Sequence, residues 1–152
     1  MPPIVIAHRT CPRDAAENSV QGVLTAARLG ADAVEIDVRL TADGTPVLMH
    51  DKTLWRTTRG LRRVRSTRTA DVVRRTIRGS AERVPTLDEV LRALPESLVL
   101  AMDIKDPAAG PATLAAVRAH RSEGRVLWWS QHDAPLRLAT AEAPELDTAL
   151  LR

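Results

Sequence analysis

The sequence predicts an α/β protein built on a mainly parallel sheet, because short buried-strand patterns alternate with segments of helical spacing. Five main strands are predicted, at residues 3–7, 33–40, 98–105, 125–130 and 146–151. Apolar residues at helical spacing occupy most of the intervals between these strands. This alternation is typical of βαβ units, in which a helix connects two parallel strands. The 152 residues are enough for one domain with a hydrophobic core.

The first interval is predicted to hold a helix over about residues 19–30. Asn18 is suited to cap its start, and Gly30 is suited to end it. After the second strand, the turn sequence ADG at 42–44 leads into an extended segment at 45–50. We predict that this segment is the second arm of a hairpin.

The later intervals are also predicted to be helical. Residues 85–94 begin with a capping box, in which Thr86 and Glu89 satisfy each other's backbone N–H groups. Residues 111–120 and 134–143 carry the next two helical patterns. Each of these helices precedes or follows a predicted strand, as the parallel arrangement requires.

The composition excludes several classes of protein. Three tryptophans, at positions 55, 128 and 129, are the only aromatic residues, which argues against a single-stranded nucleic-acid binder that stacks bases. The lone Cys11 excludes an internal disulfide and fits a reducing compartment. No apolar run reaches membrane-spanning length, and the first ten residues do not resemble a signal peptide. We therefore expect a cytoplasmic protein.

The net charge of +3 is unevenly distributed. Ten arginines lie between Arg56 and Arg83, where the acidic residues are Asp71 and Glu82. One interpretation is a surface that attracts phosphate or a lipid headgroup. The other, which we favour at this stage, is a solvated excursion without a specific ligand. We expect a single domain over residues 1–152, with this stretch as a basic insertion at about 52–84.

Two predicted strands carry charged residues where apolar residues are expected. Alternate side chains of a strand point to opposite faces, so Glu35 and Asp37 share one face, and Asp103 and Lys105 share one face of a later strand. Both pairs lie near the carboxyl ends of their strands, where ligands bind in parallel α/β proteins. Three converging carboxylates would attract Mg²⁺ or Ca²⁺. The alternative is that each carboxylate lies at the surface and pairs with an arginine.

Two histidines lie at the ends of predicted extended segments. His8 closes the first strand and His50 closes the hairpin arm. Beside a metal cluster they are suited to general acid and base catalysis, because imidazole exchanges protons near neutral pH. A lone histidine at a strand end is more often structural, and we interpret His120 and His132 as surface or capping residues.

These motifs together resemble the glycerophosphodiester phosphodiesterase family. The resemblance covers about residues 4–105 and is most specific at 30–58. It is carried by AHR, by EN at the start of a helix, by GADAVEIDVRLTADGTPVLMHDKTLWRTT, by VPTLDEVL and by DIK. The family implies a TIM (β/α)8-type barrel that uses a divalent cation, often Mg²⁺ or Ca²⁺, to hydrolyse glycerophosphodiesters to an alcohol and glycerol 3-phosphate.

The resemblance also implies a role for each matching residue. Those roles are His8 and His50 as the acid–base pair, Glu35, Asp37 and Asp103 as metal ligands, Arg9 and Lys105 as phosphate-binding residues, and Glu17 as possible support near the metal. In the family, the attacking hydroxyl is thought to be that of the substrate's own glycerol, which gives a cyclic phosphate that water then opens.

The chain departs from the family pattern at three points. Thr10 stands where the family has glycine, and Asp103 stands where it usually has glutamate, a change that keeps the charge. The third departure is length, since a barrel of this type takes about 250 residues. We expect an incomplete barrel of about five main parallel strands plus the hairpin arm. Its open sheet edges would favour self-association.

Two alternatives to the hydrolase remain at this point. One is a barrel that binds phosphate or anionic lipid headgroups without turning them over, which Thr10 and the basic insertion motivate. The other is a relative similar to phospholipase D that acts on lysophospholipids through the same metal cluster.

Overall fold

The computed structural model describes residues 3–152. Strands and helices follow one another along these residues as β1 (Ile6–Ala7), α1 (Val20–Arg28), β2 (Ala33–Leu40), β3 (Pro46–Leu48), α2 (Trp55–Thr58), α3 (Thr69–Val73), α4 (Leu87–Ala93), β4 (Val99–Ile104), α5 (Gly110–Ala119), β5 (Val126–Ser130), α6 (Asp133–Glu142) and β6 (Asp147–Leu150). None of the helices within 3–152 is both long and apolar enough to cross a membrane.

The strands form one sheet in the order β1-β2-β4-β5-β6, and all neighbours in this order are parallel. Strand β3 pairs with β2 in the antiparallel direction, which confirms the predicted hairpin arm. The sheet is that of an incomplete barrel, with β1 and β6 at its edges. The predicted parallel α/β architecture is therefore confirmed.

The main hydrophobic core lies between one face of the sheet and the helices. Ile36 of β2 and Met102 of β4 are fully buried there with Leu87 of α4 and Leu114 of α5. Trp128 is also fully buried, and its indole N–H donates to the carbonyl of Pro135 at 3.0 Å. The helices thus cover the apolar face that alternation predicts for β2 and β4.

Two details at the start of the chain differ from the predictions. Strand β1 is shorter than 3–7, because the N–H of Val5 donates to the side chain of Asp32 at 2.8 Å and not to a strand neighbour. Asn18 is not the N-cap of α1. Ser19 has the extended backbone of a cap and accepts the N–H of Gly22 at 2.9 Å, whereas Asn18 has a left-handed backbone with φ of 51°.

The edge strands leave apolar side chains in contact with solvent. Ile4 is 73% exposed beside β1, and Leu150 of β6 is 42% exposed. Unpaired strand edges of this kind favour pairing with another chain. Self-association through these edges stays a prediction.

Residues 52–84, called the basic segment below, are more ordered than their pattern suggests. They contain α2 and α3 and surround a second, smaller hydrophobic core. Its buried members are Val47, Met49, Leu54, Val64, Val72, Ile77 and Val84. The segment therefore packs on the hairpin arm and does not form a loose excursion.

Candidate metal and phosphate site

Three carboxylates from neighbouring strands converge on the face of the sheet opposite the main core. Glu35 and Asp37 belong to β2 and Asp103 to β4, and the register pairs Asp37 directly with Asp103. All three residues are buried, and one oxygen of each lies within 4.8 Å of the others. The structure thus brings together the three residues that the sequence predicts as metal ligands.

Hydrogen bonds from the first loop hold two of these carboxylates. The side-chain amide of Asn18 donates to Asp37 Oδ2 at 2.8 Å, and its carbonyl oxygen accepts the backbone N–H of Asp37 at 2.9 Å. The backbone N–H of Arg9 donates to Glu35 Oε2 at 2.8 Å. The left-handed turn at Arg9 and the left-handed residue Asn18 aim these groups at β2. The carboxylates are consequently fixed in position.

Other oxygens of the cluster lack hydrogen-bond donors. Asp103 Oδ1 is buried and accepts no hydrogen bond from residues 3–152. Asp37 Oδ1 is also buried, and its contact with Lys105 Nζ at 3.2 Å is an ion pair without hydrogen-bond geometry. Buried polar atoms normally have partners, and hard oxygen donors at this spacing match Mg²⁺ or Ca²⁺. The residues present therefore fit a divalent cation.

The electrostatics of the cluster agree with that fit. Burial raises the pKa of Glu35 to about 7, and the nearby charge of Asp37 adds to the effect. Like charges and desolvation both disfavour ionisation, and a bound cation would reverse the balance. In the absence of an ion, Glu35 therefore carries a proton over much of the acidic range.

Two cations lie beside the carboxylates. Lys105 Nζ contacts both Asp37 and Asp103, and although burial lowers the pKa of Lys105, these contacts outweigh it and raise that pKa. Arg9 Nε lies 3.7 Å from Asp37 Oδ2 and is buried without a hydrogen-bond partner among the described residues. Arg9 and Lys105, the two predicted phosphate-binding residues, therefore border the cluster. The Nε–H of Arg9 is available as a donor to a ligand.

The two predicted acid–base histidines differ in their surroundings. His8 is largely exposed, and its Nε2 lies 3.9 Å from Glu35 Oε2. His50 Nδ1 lies 2.7 Å from Asp51 Oδ1. Burial raises the pKa of Asp51, but hydrogen bonds from Arg56 and His50 outweigh it and hold that pKa below its usual value. Because Asp51 is ionised, Nδ1 of His50 carries the hydrogen and Nε2 is left to accept a proton.

Glu17 does not join the carboxylate cluster. It pairs with Arg56 Nη1 at 2.7 Å and accepts the hydroxyl of Thr57 at 3.1 Å. Arg56 in turn donates to Asp51 at 2.6 Å. Glu17 is therefore linked to His50 through Arg56 and Asp51, on the side of the site formed by the basic segment.

The departure at Thr10 is accommodated by a compensating glycine. Thr10 is fully buried with φ of 61°, a conformation that is unfavourable for a β-branched residue. Its hydroxyl donates to the carbonyl of Ala16 at 3.2 Å and accepts the N–H of Ser19 at 3.3 Å. A Cβ on Gly22 would lie only 2.2 Å from the Thr10 hydroxyl. The turn that positions Arg9 thus depends on a small residue in α1.

Three further polar residues support the site in roles that the sequence patterns do not indicate. They are Asn18, which holds Asp37, Asp51, which orients His50, and Arg39, which is buried and donates to the carbonyl of His50 at 2.9 and 2.6 Å. Asp51 could have been suggested by its position next to His50. His120 ends α5 and pairs with Asp88 at 2.6 Å, and His132 precedes α6, as their interpretation as surface or capping residues requires.

Comparison with known proteins places these observations in a family. Residues 8–134 match the sequence profile of the glycerophosphoryl diester phosphodiesterase family. A glycerophosphodiester phosphodiesterase from Caldanaerobacter subterraneus is 32% identical over 164 residues, an alignment that covers 99% of this chain and 67% of that protein. Glycerophosphodiester phosphodiesterase 1 of Mus musculus is 41% identical over 109 residues, which cover 66% of this chain and 33% of that protein.

Solved structures have the same architecture. A phosphodiesterase from Oleispira antarctica, determined in complex with the product sn-glycerol-3-phosphate, superimposes with a TM-score of 0.87 at 29% sequence identity. The superposition covers 96% of this chain and 64% of that one. The chain thus spans about two thirds of these bacterial relatives and one third of the mouse protein.

Proposed function

The chain belongs to the glycerophosphoryl diester phosphodiesterase family, and from that premise we propose that it is a metal-dependent phosphoric diester hydrolase. In this proposal it cleaves glycerophosphodiesters to an alcohol and glycerol 3-phosphate. The observation that carries the proposal is the buried cluster of Glu35, Asp37 and Asp103, in which carboxylate oxygens lack donors and cations stand beside them.

Each group of the site has a chemical role in such a hydrolysis. When bound by Glu35, Asp37 and Asp103, a divalent cation would neutralise phosphate charge and lower the pKa of a coordinated hydroxyl. The ammonium of Lys105 has three donors, two of which face Asp37 and Asp103, so the third is available to a phosphate oxygen. Arg9 Nε is a second donor without a partner in residues 3–152.

The histidines would move the protons. Nε2 of His50 is free to accept a proton from the attacking hydroxyl, because Asp51 holds the hydrogen on Nδ1. His8 is exposed and could deliver a proton to the alcohol oxygen as its bond to phosphorus breaks. In the first half of the reaction, His50 would thus act as the general base and His8 as the general acid.

The choice of substrate and of ion is part of the same proposal. The relative from Oleispira antarctica binds sn-glycerol-3-phosphate, which supports glycerophosphodiesters as the substrate class. The all-carboxylate donor set supports Mg²⁺ or Ca²⁺ over softer metals. The half-buried free thiol of Cys11 is compatible with the cytoplasm as the compartment.

The direct test is release of glycerol 3-phosphate from glycerophosphocholine by the 152-residue chain, with Mg²⁺ or Ca²⁺ and with EDTA. We expect turnover that requires the ion and that falls by about 10² to 10⁴-fold in His50→Ala. His120→Ala is the matched control, since His120 pairs with Asp88 away from the cluster, and should retain activity.

Other outcomes would favour the alternatives. Headgroup binding without product release in any of these conditions would contradict hydrolysis and indicate a binding protein. Release of choline from lysophosphatidylcholine in preference to glycerophosphocholine would indicate a lysophospholipid substrate.

A further inference from the structure

A cavity of about 210 Å³ adjoins the carboxylate cluster at the carboxyl ends of β2 and β4. It lies between the basic segment on one side and the loop after β4 on the other. Its charged lining consists of five cations and one anion, namely Arg39, Lys52, Arg63, Arg65, Lys105 and Asp106. We call it the basic cavity. Of its lining residues, only Lys105 has a role in the reaction proposed above.

The positive charge of the basic cavity is partly compensated, since Lys105 contacts Asp37 and Asp103, and two of its cations are left without an ion-pair partner among residues 3–152. Asp106 pairs with Arg65 at 3.3 Å. Lys52 and Arg63 are exposed and form no ion pair with any residue of 3–152. Arg39 is only 9% exposed, and its guanidinium donates to main-chain carbonyls of His50 and Lys105, with the carboxylates of Asp106, Asp37, Asp51 and Asp103 close enough to offset its charge. The unpaired charges of Lys52 and Arg63 attract anions to the cavity.

The backbone fixes the cations that come from the basic segment. Thr53 and Arg63 form an antiparallel bridge. The N–H of Val64 donates to the carbonyl of Lys52 at 3.0 Å, and the side chain of Val64 is buried in the smaller core. The backbone at Lys52 and Arg63 is therefore held in place. This lowers the entropic cost of binding an anion between their side chains.

Lys105 connects the basic cavity to the carboxylate cluster. Its Nζ lies 3.2 Å from Asp37 Oδ1, and the same residue lines the cavity. A phosphodiester whose phosphate lies at the cluster, against Lys105, is therefore close enough to the basic cavity to extend one of its two substituents into it.

We propose that the basic cavity binds a second anionic group of the substrate, carried by the alcohol side of the diester. The chain would then prefer glycerophosphodiesters whose alcohol bears a phosphate or a carboxylate over those with a neutral or cationic alcohol. This inference rests on the proposed function and names its substrate class. Arginine is suited to the task, because its planar fork binds such groups through two parallel hydrogen bonds.

The test compares two substrates that differ in one phosphate, glycerophosphoinositol and glycerophosphoinositol 4-phosphate. We expect kcat/KM to be at least about tenfold higher for the second, mainly through KM, as one or two charge-assisted hydrogen bonds would give. The preference should decrease as the salt concentration rises, because exposed charges are screened.

Variants locate the effect in the cavity. The double variant Arg63→Gln, Arg65→Gln should remove most of the preference and also leaves Asp106 without its partner. Arg62→Gln is the matched control, because Arg62 is adjacent in sequence but does not line the basic cavity. Its ratio of the two kcat/KM values should equal that of the parent chain.

The outcomes separate this inference from the proposed function. Equal kcat/KM values for the two substrates, or a preference that survives in the double variant, would overturn the inference while leaving the hydrolase intact. If neither these two diesters nor glycerophosphocholine is cleaved, the proposed function fails, and calorimetric titration of the two inositol compounds then tests whether the basic cavity binds the added phosphate. Tighter binding of the phosphorylated compound that the double variant abolishes would support it, and equal binding would overturn it.

Discussion

The central strands and the basic segment place charge by different means. In β2 and β4, the ladder fixes each side chain, and Asp37 and Asp103 meet because they are register partners. In the basic segment, α2 has four residues and α3 has five, and the order comes from irregular backbone pairings together with side-chain contacts to the backbone. The hydroxyl of Thr67, for example, donates to the carbonyl of Arg63 at 2.8 Å.

This difference separates two properties of the site. The strands bury three carboxylates close to one another, and their mutual repulsion favours binding of a cation. The basic segment presents cations at the surface, where they cost little desolvation and can attract an anion. Substitutions in the segment can therefore alter charge near the cluster without disturbing the main core.

The largest expected effect comes from breaking the cluster in the strands. Asp37→Asn removes a charge from the metal ligands and should lower kcat/KM by about 10³-fold, since charge stabilisation by a bound ion contributes several kcal/mol. The assay is glycerol 3-phosphate release at saturating Mg²⁺ or Ca²⁺. Asp71→Asn is the counterpart in the basic segment, where Asp71 pairs with Arg74 at the surface, and it should have little effect. Comparable losses of kcat/KM in Asp37→Asn and Asp71→Asn would contradict the view that the metal ligands lie in the strands alone.

The next largest effect compares the two hydrophobic cores. Ile36 of β2 and Leu54 of the basic segment are both fully buried. Truncation of either to alanine should lower the free energy of unfolding by about 2 to 5 kcal/mol, through lost burial and a residual cavity. Hydrogen exchange should distinguish them, with protection lost across the sheet in Ile36→Ala and mainly within 52–84 in Leu54→Ala. Loss across the sheet in both would mean that the two cores unfold as one unit.

The same contrast explains which features could be predicted from the sequence. Strand β2 coincides with the predicted 33–40, because apolar residues at every second position have only one arrangement that buries them. The convergence of Asp37 and Asp103 follows from their positions at the ends of parallel strands. The capping box of Thr86 and Glu89 is also confirmed, since both of its bonds are local.

Features that depend on irregular backbone or on distant partners could not be predicted. Asn18 holds Asp37 only because of its left-handed conformation, which no periodicity indicates. Arg39 is buried by bonding to carbonyls 11 and 66 positions away. The smaller core arises from apolar residues with no regular spacing, so the sequence suggested little structure between 52 and 84.

The pH dependence of stability should have opposite signs in the two regions, and the larger effect belongs to the strands. The pKa of Glu35 is raised from 4.5 to about 7 in the folded chain. The unfolded chain therefore loses this proton first, and stability should fall as pH rises from about 4.5 to about 7, by up to about 3 kcal/mol. Thermal unfolding in EDTA measures the fall. Added Mg²⁺ or Ca²⁺ should reduce it, because an ion stabilises the ionised form.

Glu35→Gln supplies the control for that measurement. It removes the titrating group while keeping a side chain of the same size, so the fall in stability between pH 4.5 and 7 should flatten. A fall that is unchanged in Glu35→Gln would assign the pH dependence to other groups.

The smallest effect, of opposite sign, is expected at Asp43, which joins the hairpin turn to the basic segment. Hydrogen bonds from the hydroxyl and N–H of Thr69 and from Thr41 lower the pKa of Asp43 from 3.8 to about 2. The folded chain therefore keeps this carboxylate ionised when the unfolded chain does not. Its stabilising contribution is present above pH 3.8 and is lost as pH falls through about 2.

Asp43→Asn should remove this pH dependence of stability. It should also weaken the hydrogen bond that the side chain at position 43 accepts from the N–H of Thr69, the first residue of α3. Because the carboxylate is exposed, solvent screens the interaction and the change in overall stability should be small. The sensitive measurement is amide exchange at Thr69, whose N–H donates to Asp43 at 2.9 Å. Faster exchange there, with unchanged exchange in β2, would mean that the basic segment can loosen while the carboxylate cluster stays in place. Unchanged exchange at Thr69 would mean that the smaller core alone holds the segment to the hairpin.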